Sequence, residues 1–594
     1  MTQSEPANNA PAGAPMREAL ALLVRAARPE SRRLTQGLLW LVLAALLEAL
    51  GPVLGKHLID AQLLPRRFDG PQIALLLAAM LTSGWIASLL RYAQLRRMAG
   101  VAQRSVLRLR TQVWDHVLAQ PIAFFDRSIS GQLLSRVTND TDAVNNLYRQ
   151  VLFVMLDSSI VVLGALVAMA WLDWRLMLIV VALVPASVGI IWLYQRASAA
   201  AVQRTRALRA ELNAQMAESI AGMAMLQSAG AARRFSQRFA GTNAAQLDAR
   251  KQELKANAWL LRPALDLLNV LLIVALIYGF GLRGEATPGA VLEVGLLYAF
   301  LSYIARVVEP LIQITMQFSQ LQQALVAASR VHALLREPAE ADATRPEARV
   351  PRGAISLRGL SFGYQPGQPV LQDISLEIAP GSFVGIAGHT GSGKSSLLAL
   401  LLRFYAPQRG ELLLDGQPLA HIPEARLRKA VALVPQEPYL VSGTVRENLR
   451  MGRDIPDERL FEAARAARVH DFLAALPRGY DSRLGDGGLA VSTGQKQLIA
   501  LARALAGDPR VLLLDEASAN IDSATEARVG EALLGLRGRV TVIAVAHRLS
   551  TLREADPILV LSHGRLAEQG THDVLMAREN GIYQRLVQLQ ALEQ

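Results

Sequence analysis

Eight consecutive residues, Gly388, His389, Thr390, Gly391, Ser392, Gly393, Lys394 and Ser395, form the pattern G-x-x-x-x-G-K-S. An apolar run at 384–387 precedes them and an apolar stretch opening at Ser396 follows, which places the pattern between an expected strand and an expected helix. In that context its chemistry is phosphate binding. Glycines let backbone N–H groups close around the phosphates, and the helix N-terminus adds positive potential. Lys394 reaches the β- and γ-phosphates, and Ser395 can ligate Mg2+. The pattern alone recurs by chance in long chains, so the flanking elements matter, and composition adds weight. Of 62 basic residues 56 are arginine and six are lysine, yet position 394, where a compact ammonium is needed, is lysine.

A second group, Val511-Leu512-Leu513-Leu514-Asp515-Glu516, is an apolar run ending in two acids. On a strand buried in a parallel sheet, Asp515 would hold Mg2+ and Glu516 would orient or deprotonate an attacking water. A third apolar run at 540–545 leads to His547, placed at a strand end to meet the γ-phosphate or the water. Lys394, Glu516 and His547 are the catalytic candidates. Ser395 and Asp515 are the candidates for the metal.

Between the loop and Asp515 the chain reads Val491-Ser492-Thr493-Gly494-Gln495, then Lys496 and Gln497. This is similar to the LSGGQ signature, and the ordered set of motifs resembles the ATP-binding cassette (ABC) superfamily. The resemblance implies further positions. Tyr364 is similar to the aromatic that stacks on adenine, and Gln436 in Val434-Pro435-Gln436-Glu437 resembles the glutamine that senses Mg2+ and the membrane domain. Asp486 falls where exporters have a cross-talk loop, and Asp522 resembles the D-loop aspartate. Ser492, Thr493, Gly494 and Gln495 would face the γ-phosphate of an ATP held by a second nucleotide domain. ATP and Mg2+ are the implied ligands.

These groups need elements to hold them, and composition shows what kind. The chain has 594 residues, 52% of them hydrophobic and 19% charged, with no cysteine and a formal net charge of +12. That excludes a disordered or collagen-like chain, disulfides and cysteine-ligated metals. Up to Val350 there are 35 basic and 24 acidic residues, and beyond it 27 and 26, so nearly all the excess lies in the first part. A basic half joined to a near-neutral half fits a membrane protein with positive loops, and is a poor match to a nucleic-acid binder.

Residues 1–16 are polar and Pro/Ala-rich, lack the order of a targeting peptide, and are expected to be a disordered tail. Residues 17–33 read either as a helix lying at the membrane interface or as an extension of the first span. Six apolar stretches follow, at 34–55, 73–90, 151–172, 176–195, 260–282 and 288–318, each long enough to cross the hydrocarbon core. The links after the second and fourth run about 60 residues and are rich in helix formers. Residues 91–110 carry six arginines and no acid, which puts the long links and both termini in the cytoplasm. Residues 336–352 have the composition of a linker. The domain plan is a tail at 1–16, a transmembrane domain at 17–335, a linker at 336–352 and a nucleotide-binding domain at 353–594. The expected fold is an all-α six-helix transmembrane domain fused to an α/β P-loop domain.

In the first long link, Phe124-Phe125-Asp126 lies between Pro121 and Gly131, either a tip suited to a groove on another domain or an ordinary hairpin end. With Gly131, Ser135-Arg136 and Asn139-Asp140 it resembles the first intracellular loop of type IV ABC exporters, whose tip docks on a nucleotide domain. Residues 221–227 lie where their second coupling helix would be. Within that family the chain looks closest to MdlB-type half-transporters of multidrug exporters. One departure stands out: Thr493 replaces the signature's first glycine and Val491 its leucine. A branched side chain there restricts the backbone and crowds the phosphate. In heterodimeric exporters a full catalytic set and a degenerate signature travel together, so the resemblance implies a different half-transporter as partner, the alternative being a tolerated change in a homodimer.

The resemblance further implies ATP-driven efflux of hydrophobic or amphipathic compounds across a bacterial inner membrane, the alternative being a homodimeric lipid or lipid-A-type flippase of the same architecture. Within the spans, Arg262 and Asp266 are four apart and Arg306 and Glu309 three apart, so each pair is expected to neutralise itself. Glu48 and Asp157 lack such a neighbour. Either they line a path for cationic amphiphiles or Arg262 or Arg306 neutralises them across the bundle.

Overall fold

A computed structural model describes residues 14–66, 68–128, 130–256, 258–259, 262–286, 293–338, 350, 352–365, 367–485, 488–515, 523–545 and 552–593. The expected tail lies outside these residues as far as residue 13, and a helix opens at Ala14. The chain divides into two compact units. One comprises Met1–Leu118 and Ile129–Glu337, and the other Ala119–Ser128 and Pro338–Gln594.

The first unit is all-α. Among the described residues, six helical stretches are long and apolar enough to cross a membrane. The first span is carried by α1 (Ser31–Leu58), the second by α2 (Gly70–Leu118) and the third by α3 (Phe153–Leu172). The fourth runs through α4 (Leu183–Ala221), the fifth is α5 (Arg262–Ala286) and the sixth α6 (Val294–Arg336). At about 1.5 Å per residue, the 49 residues of α2 extend more than twice the length of their apolar stretch. The turn between the third and fourth spans is closed by Asp173, whose carboxylate accepts from the backbone N–H of Arg175 at 2.9 Å and of Leu176 at 3.3 Å, an N-cap that restarts the helix at Trp174. Leu276, Phe300, Tyr303 and Met169 fill a core between α3, α5 and α6.

The membrane charges pair in part as expected, Arg306 reaching Glu48 across the bundle, but the main partner of both acids is Arg91. Arg91, on α2 directly after its apolar stretch, donates to Glu48 on α1 at 3.1 and 3.3 Å and to Asp157 on α3 at 3.0 Å. One guanidinium thus joins three spans. Arg306 turns away from Glu309, donating to the Glu48 carbonyl at 3.0 Å and lying 3.8 Å from its carboxylate. Glu309 instead accepts from Gln313 at 3.2 Å. The Arg262 side chain lies outside the described residues. A planar, always-charged fork answers two carboxylates at once, which removes the argument for Glu48 and Asp157 as bare sites for cations.

The second unit is α/β. An antiparallel sheet of β1 (Ile355–Phe362), β2 (Leu371–Ile378), β4 (Arg409–Leu414) and β5 (Gln417–Pro418) has the order β2-β1-β4-β5. The main sheet holds β3 (Phe383–Ala387), β6 (Val431–Val434), β7 (Val511–Asp515), β8 (Thr541–Val545), β9 (Ile558–Ser562) and β10 (Arg565–Gly570). Its order is β10-β9-β3-β8-β7-β6, parallel except for the edge strand β10. Helices on both faces require strands that are apolar on both sides, which is why 383–387 and 511–514 read as unbroken apolar runs and are fully buried. The fold is the expected helical membrane domain fused to an α/β nucleotide-binding fold.

Candidate functional site

Because β3, β6, β7 and β8 run parallel, their C-terminal ends share one edge of the sheet, the edge where ligands bind in open α/β folds. The glycine-rich loop leaves β3 there, Gln436 follows β6, and Asp515 ends β7 in register with Val545 of β8. Glu516 and Asp522 lie outside the described residues, as do His547 and Asp486.

Loop residues 388–393 lead into α7 (Lys394–Leu401). A Cβ on Gly388 would meet the Leu561 carbonyl oxygen at 2.4 Å, so any other residue would push the loop off the sheet. Gly393 sits at φ 102°, in the left-handed region, which turns the chain into the helix start. Lys394 is buried, its ammonium donating to the carbonyls of Gly388 at 2.8 Å and His389 at 3.0 Å. Ser395 Oγ lies 3.4 Å from Asp515 Oδ1.

This cradle fits a nucleotide triphosphate and its cation. Among the described residues the Ser392 hydroxyl is buried without a partner, the loop admits no Cβ at Gly388, and a hydroxyl beside a carboxylate is the hard oxygen pair that Mg2+ prefers.

Tyr364 follows β1, half exposed, and its hydroxyl donates to Ser396 Oγ at 3.1 Å, which fixes the ring beside α7. The ring stands edge-on to Phe362 at 4.9 Å and to Tyr405 at 5.0 Å between centroids. Sequence reasoning missed Tyr405. Its hydroxyl donates to the carboxylate of Asp126, in the helix Ile122–Arg127 that belongs to this unit. Burial first, then that hydrogen bond, holds the Tyr405 hydroxyl protonated well above the usual tyrosine range. The tip at 124–126 therefore meets the nucleotide unit through the acid as well as presenting two aromatics. Only the Asp of the Phe-Phe-Asp triplet hinted at this, since an aromatic 279 residues away in sequence leaves no local pattern.

The signature opens α8 (Thr493–Ala506). Ser492 Oγ accepts from the Gln495 N–H at 3.2 Å, and the Gln495 side chain accepts from the Ser492 N–H at 2.9 Å, a closed capping box. Gly494 is packed so closely that a Cβ would reach Thr525 Cγ2 at 2.7 Å. Thr493 is exposed in the first helical position. Its Cβ is accommodated by the helix and projects outward, so the crowding expected of it falls on whatever faces the helix start. Further along α8, Arg503 donates to the carbonyl of Tyr439 at 2.9 Å and to Asn448 at 2.8 and 3.0 Å, tying the signature helix to the segment three residues beyond Gln436. Gln436 itself is exposed. The structure therefore assembles two groups on this chain: Tyr364, the 388–396 loop and Asp515 in one, and Ser492 to Gln495 in the other, whose hydrogen bonds close on themselves.

Comparison with known proteins bears on both units. Residues 34–311 match the family model described as the ABC transporter transmembrane region, and residues 371–519 match the model described as ABC transporter. The chain is 35% identical to the multidrug resistance-like ATP-binding protein MdlB of Buchnera aphidicola from Acyrthosiphon pisum, over 94% of this chain and 95% of the relative. It is 30% identical to the ATP-dependent lipid A-core flippase of Syntrophus aciditrophicus, over 96% and 94% respectively. A solved structure of a bacterial Atm1-family ABC exporter with ATP bound superposes with a TM-score of 0.76 at 29% identity, covering 94% of this chain and 98% of that one.

Proposed function

The chain belongs to the ABC exporter family, a multi-pass membrane protein with an ATP-hydrolysing domain, and from that premise we propose that it is one half of a heterodimeric multidrug exporter of the bacterial inner membrane. In this reading the chain divides at 1–16, 17–335, 336–352 and 353–594, and its termini and nucleotide domain are cytoplasmic. Its cargo is hydrophobic or amphipathic. The observation that carries the ATP-driven part is the meeting of Ser395 and Asp515 at 3.4 Å beneath the glycine cradle.

Tyr364 stacks on adenine, and Gly388 to Gly393 wrap the phosphates with backbone N–H groups. Lys394 exchanges its two carbonyl partners for phosphate oxygens. Ser395, Asp515 and Gln436 would hold Mg2+, which would supply positive charge against the phosphates. Glu516 takes the proton of the attacking water, and His547 with Lys394 supports the charge that develops on the γ-phosphate. Ser492 to Gln495, with Asp522, complete a site on a second chain. Asp126 reports nucleotide binding to the membrane domain through Tyr405. At the end of α4 and in the short helix Met223–Ser228 that follows it, Ile220 and Met225 are 72% and 77% exposed, an apolar tip that suits the nucleotide domain of a partner chain.

Thr493 supports a partner that differs from this chain. A methyl and a hydroxyl at the helix start stand where a partner's γ-phosphate would approach, while Lys394 and Glu516 are both retained. Two differently tagged copies expressed together test this. The heterodimer predicts that they fail to co-purify and that the chain alone turns over ATP slowly, and brisk ATPase activity from the chain alone overturns it. A lipid flippase is the second reading, favoured by the full-length similarity to a lipid A-core flippase.

A further inference from the structure

Where the first two spans leave their apolar stretches, α1 and α2 enclose a cavity of about 520 Å³. Its wall includes Arg33, Arg96, Arg97 and Arg104, together with Trp40 and Tyr92, and no acidic residue. Among the described residues, the acid that reaches these arginines is Glu30, buried at 7% exposure. It accepts from Arg104 at 3.0 and 3.1 Å, from Arg33 at 2.9 Å and from Arg108 at 3.2 Å. One carboxylate thus answers three guanidinium groups. Arg96 and Arg97 have no acidic partner among the described residues.

The basic groups are held in place. Arg97 lies over the Trp40 ring at 4.3 Å and donates to the Gln36 side-chain oxygen. Arg104 lies along its own helix because position 100 is glycine, where a Cβ would come within 3.2 Å of Arg104 Nη1. Four positive forks around a cavity, two of them fixed by stacking or by a glycine notch, and two without a counter-charge, make a receptor for a phosphate ester.

The setting selects the source of that phosphate. Tyr92 and Trp40 are of the type that sits at headgroup level, and the α2 wall of the cavity opens at Tyr92, directly past the apolar stretch at 73–90. On its hydrocarbon side α1 and α2 expose Leu39 at 66%, Leu81 at 69% and Trp85 at 72%, a surface for acyl chains that a free anion does not need. We infer that this cavity binds the phosphate of an anionic glycerophospholipid, whose chains lie along the exposed faces of α1 and α2.

The test uses the full-length chain in detergent and phosphatidylglycerol brominated on its acyl chains, which quenches nearby tryptophan. Trp40→Phe identifies the Trp40 component of the signal. Phosphatidylglycerol is expected to quench Trp40 at lower concentration than brominated phosphatidylcholine does. Removing both uncompensated charges, R96Q with R97Q, is expected to raise the phosphatidylglycerol midpoint about 30-fold, from about fivefold per arginine near a membrane surface, and to leave phosphatidylcholine where it was. R96K with R97K, which keeps the charges, is expected to restore most of the preference and so separates loss of charge from loss of fold. Equal quenching by the two lipids, an unchanged midpoint in the glutamine variant, or displacement of the lipid by equimolar inorganic phosphate would each overturn the assignment.

Discussion

Removing one oxygen, in Tyr405→Phe, separates nucleotide binding from its transmission. The hydroxyl donates to Asp126, while the ring packs edge-on against Tyr364 and at 5.5 Å from Phe362. A hydrogen bond to a charged group contributes about 1.5–3 kcal/mol, and the exposure of Asp126 reduces that to about 1 kcal/mol. The ring contacts, about 0.5–1.5 kcal/mol each beyond area burial, survive in phenylalanine and are lost in alanine. In the complex with its partner, Tyr405→Phe should leave the KM for ATP within about twofold and lower substrate stimulation of ATPase about fivefold. Asp126→Ala, which removes the acceptor, should do the same, and the double variant should be no worse than either single one. Tyr405→Ala should also raise the KM for ATP, because Tyr364 loses its neighbour. A Tyr405→Phe enzyme whose KM rises as much as that of the alanine variant would refute the separation. So would full additivity of Tyr405→Phe and Asp126→Ala.

Three further outcomes follow from the geometry. Arg91→Gln strands Glu48 and Asp157 half-buried and should cost about 2 kcal/mol, lowering the unfolding temperature of the detergent-solubilised protein by about 5 °C, with recovery when both acids become amides; no recovery would disprove the pairing. Gly388→Ala drives a methyl into the Leu561 carbonyl and should weaken binding of a fluorescent ATP analogue at least about tenfold, so unchanged affinity would remove the cradle from the account. Thr493→Gly keeps the Ser492–Gln495 capping box and costs α8 about 0.5 kcal/mol or less, yet it should raise the ATPase of the chain purified alone. No rise would mean that Thr493 does not limit self-assembled sites.

Local patterns carried much of this. The phosphate loop announces itself because glycine, lysine and serine at fixed offsets are what a phosphate cradle needs, and the six spans because a helix in lipid must be apolar for about 20 residues. Of the pairings across the bundle, Arg306 with Glu48 was among the alternatives the charges offered, but Arg91 was not legible. Arg91 looked like the first residue of a cytoplasmic link, since a hydropathy pattern marks where an apolar stretch ends and not which neighbouring helices carry acids at that height. Arg306 had Glu309 three residues away, and packing gave it the Glu48 carbonyl instead. Tyr405 was hidden for the same reason, its partner coming from a helical tip far away in sequence. Thr493 illustrates the opposite limit: its identity was legible as a departure, but only the helix start showed that the chain itself bears no strain from it.

The most direct test of the central claim is ATP hydrolysis by Glu516→Gln in a complex formed with a second half-transporter. If this chain's loop and Glu516 form the competent site, the variant binds ATP as the parent does while hydrolysis and drug transport are lost. Hydrolysis persisting near the parent rate would contradict the account, because the water would then be activated elsewhere.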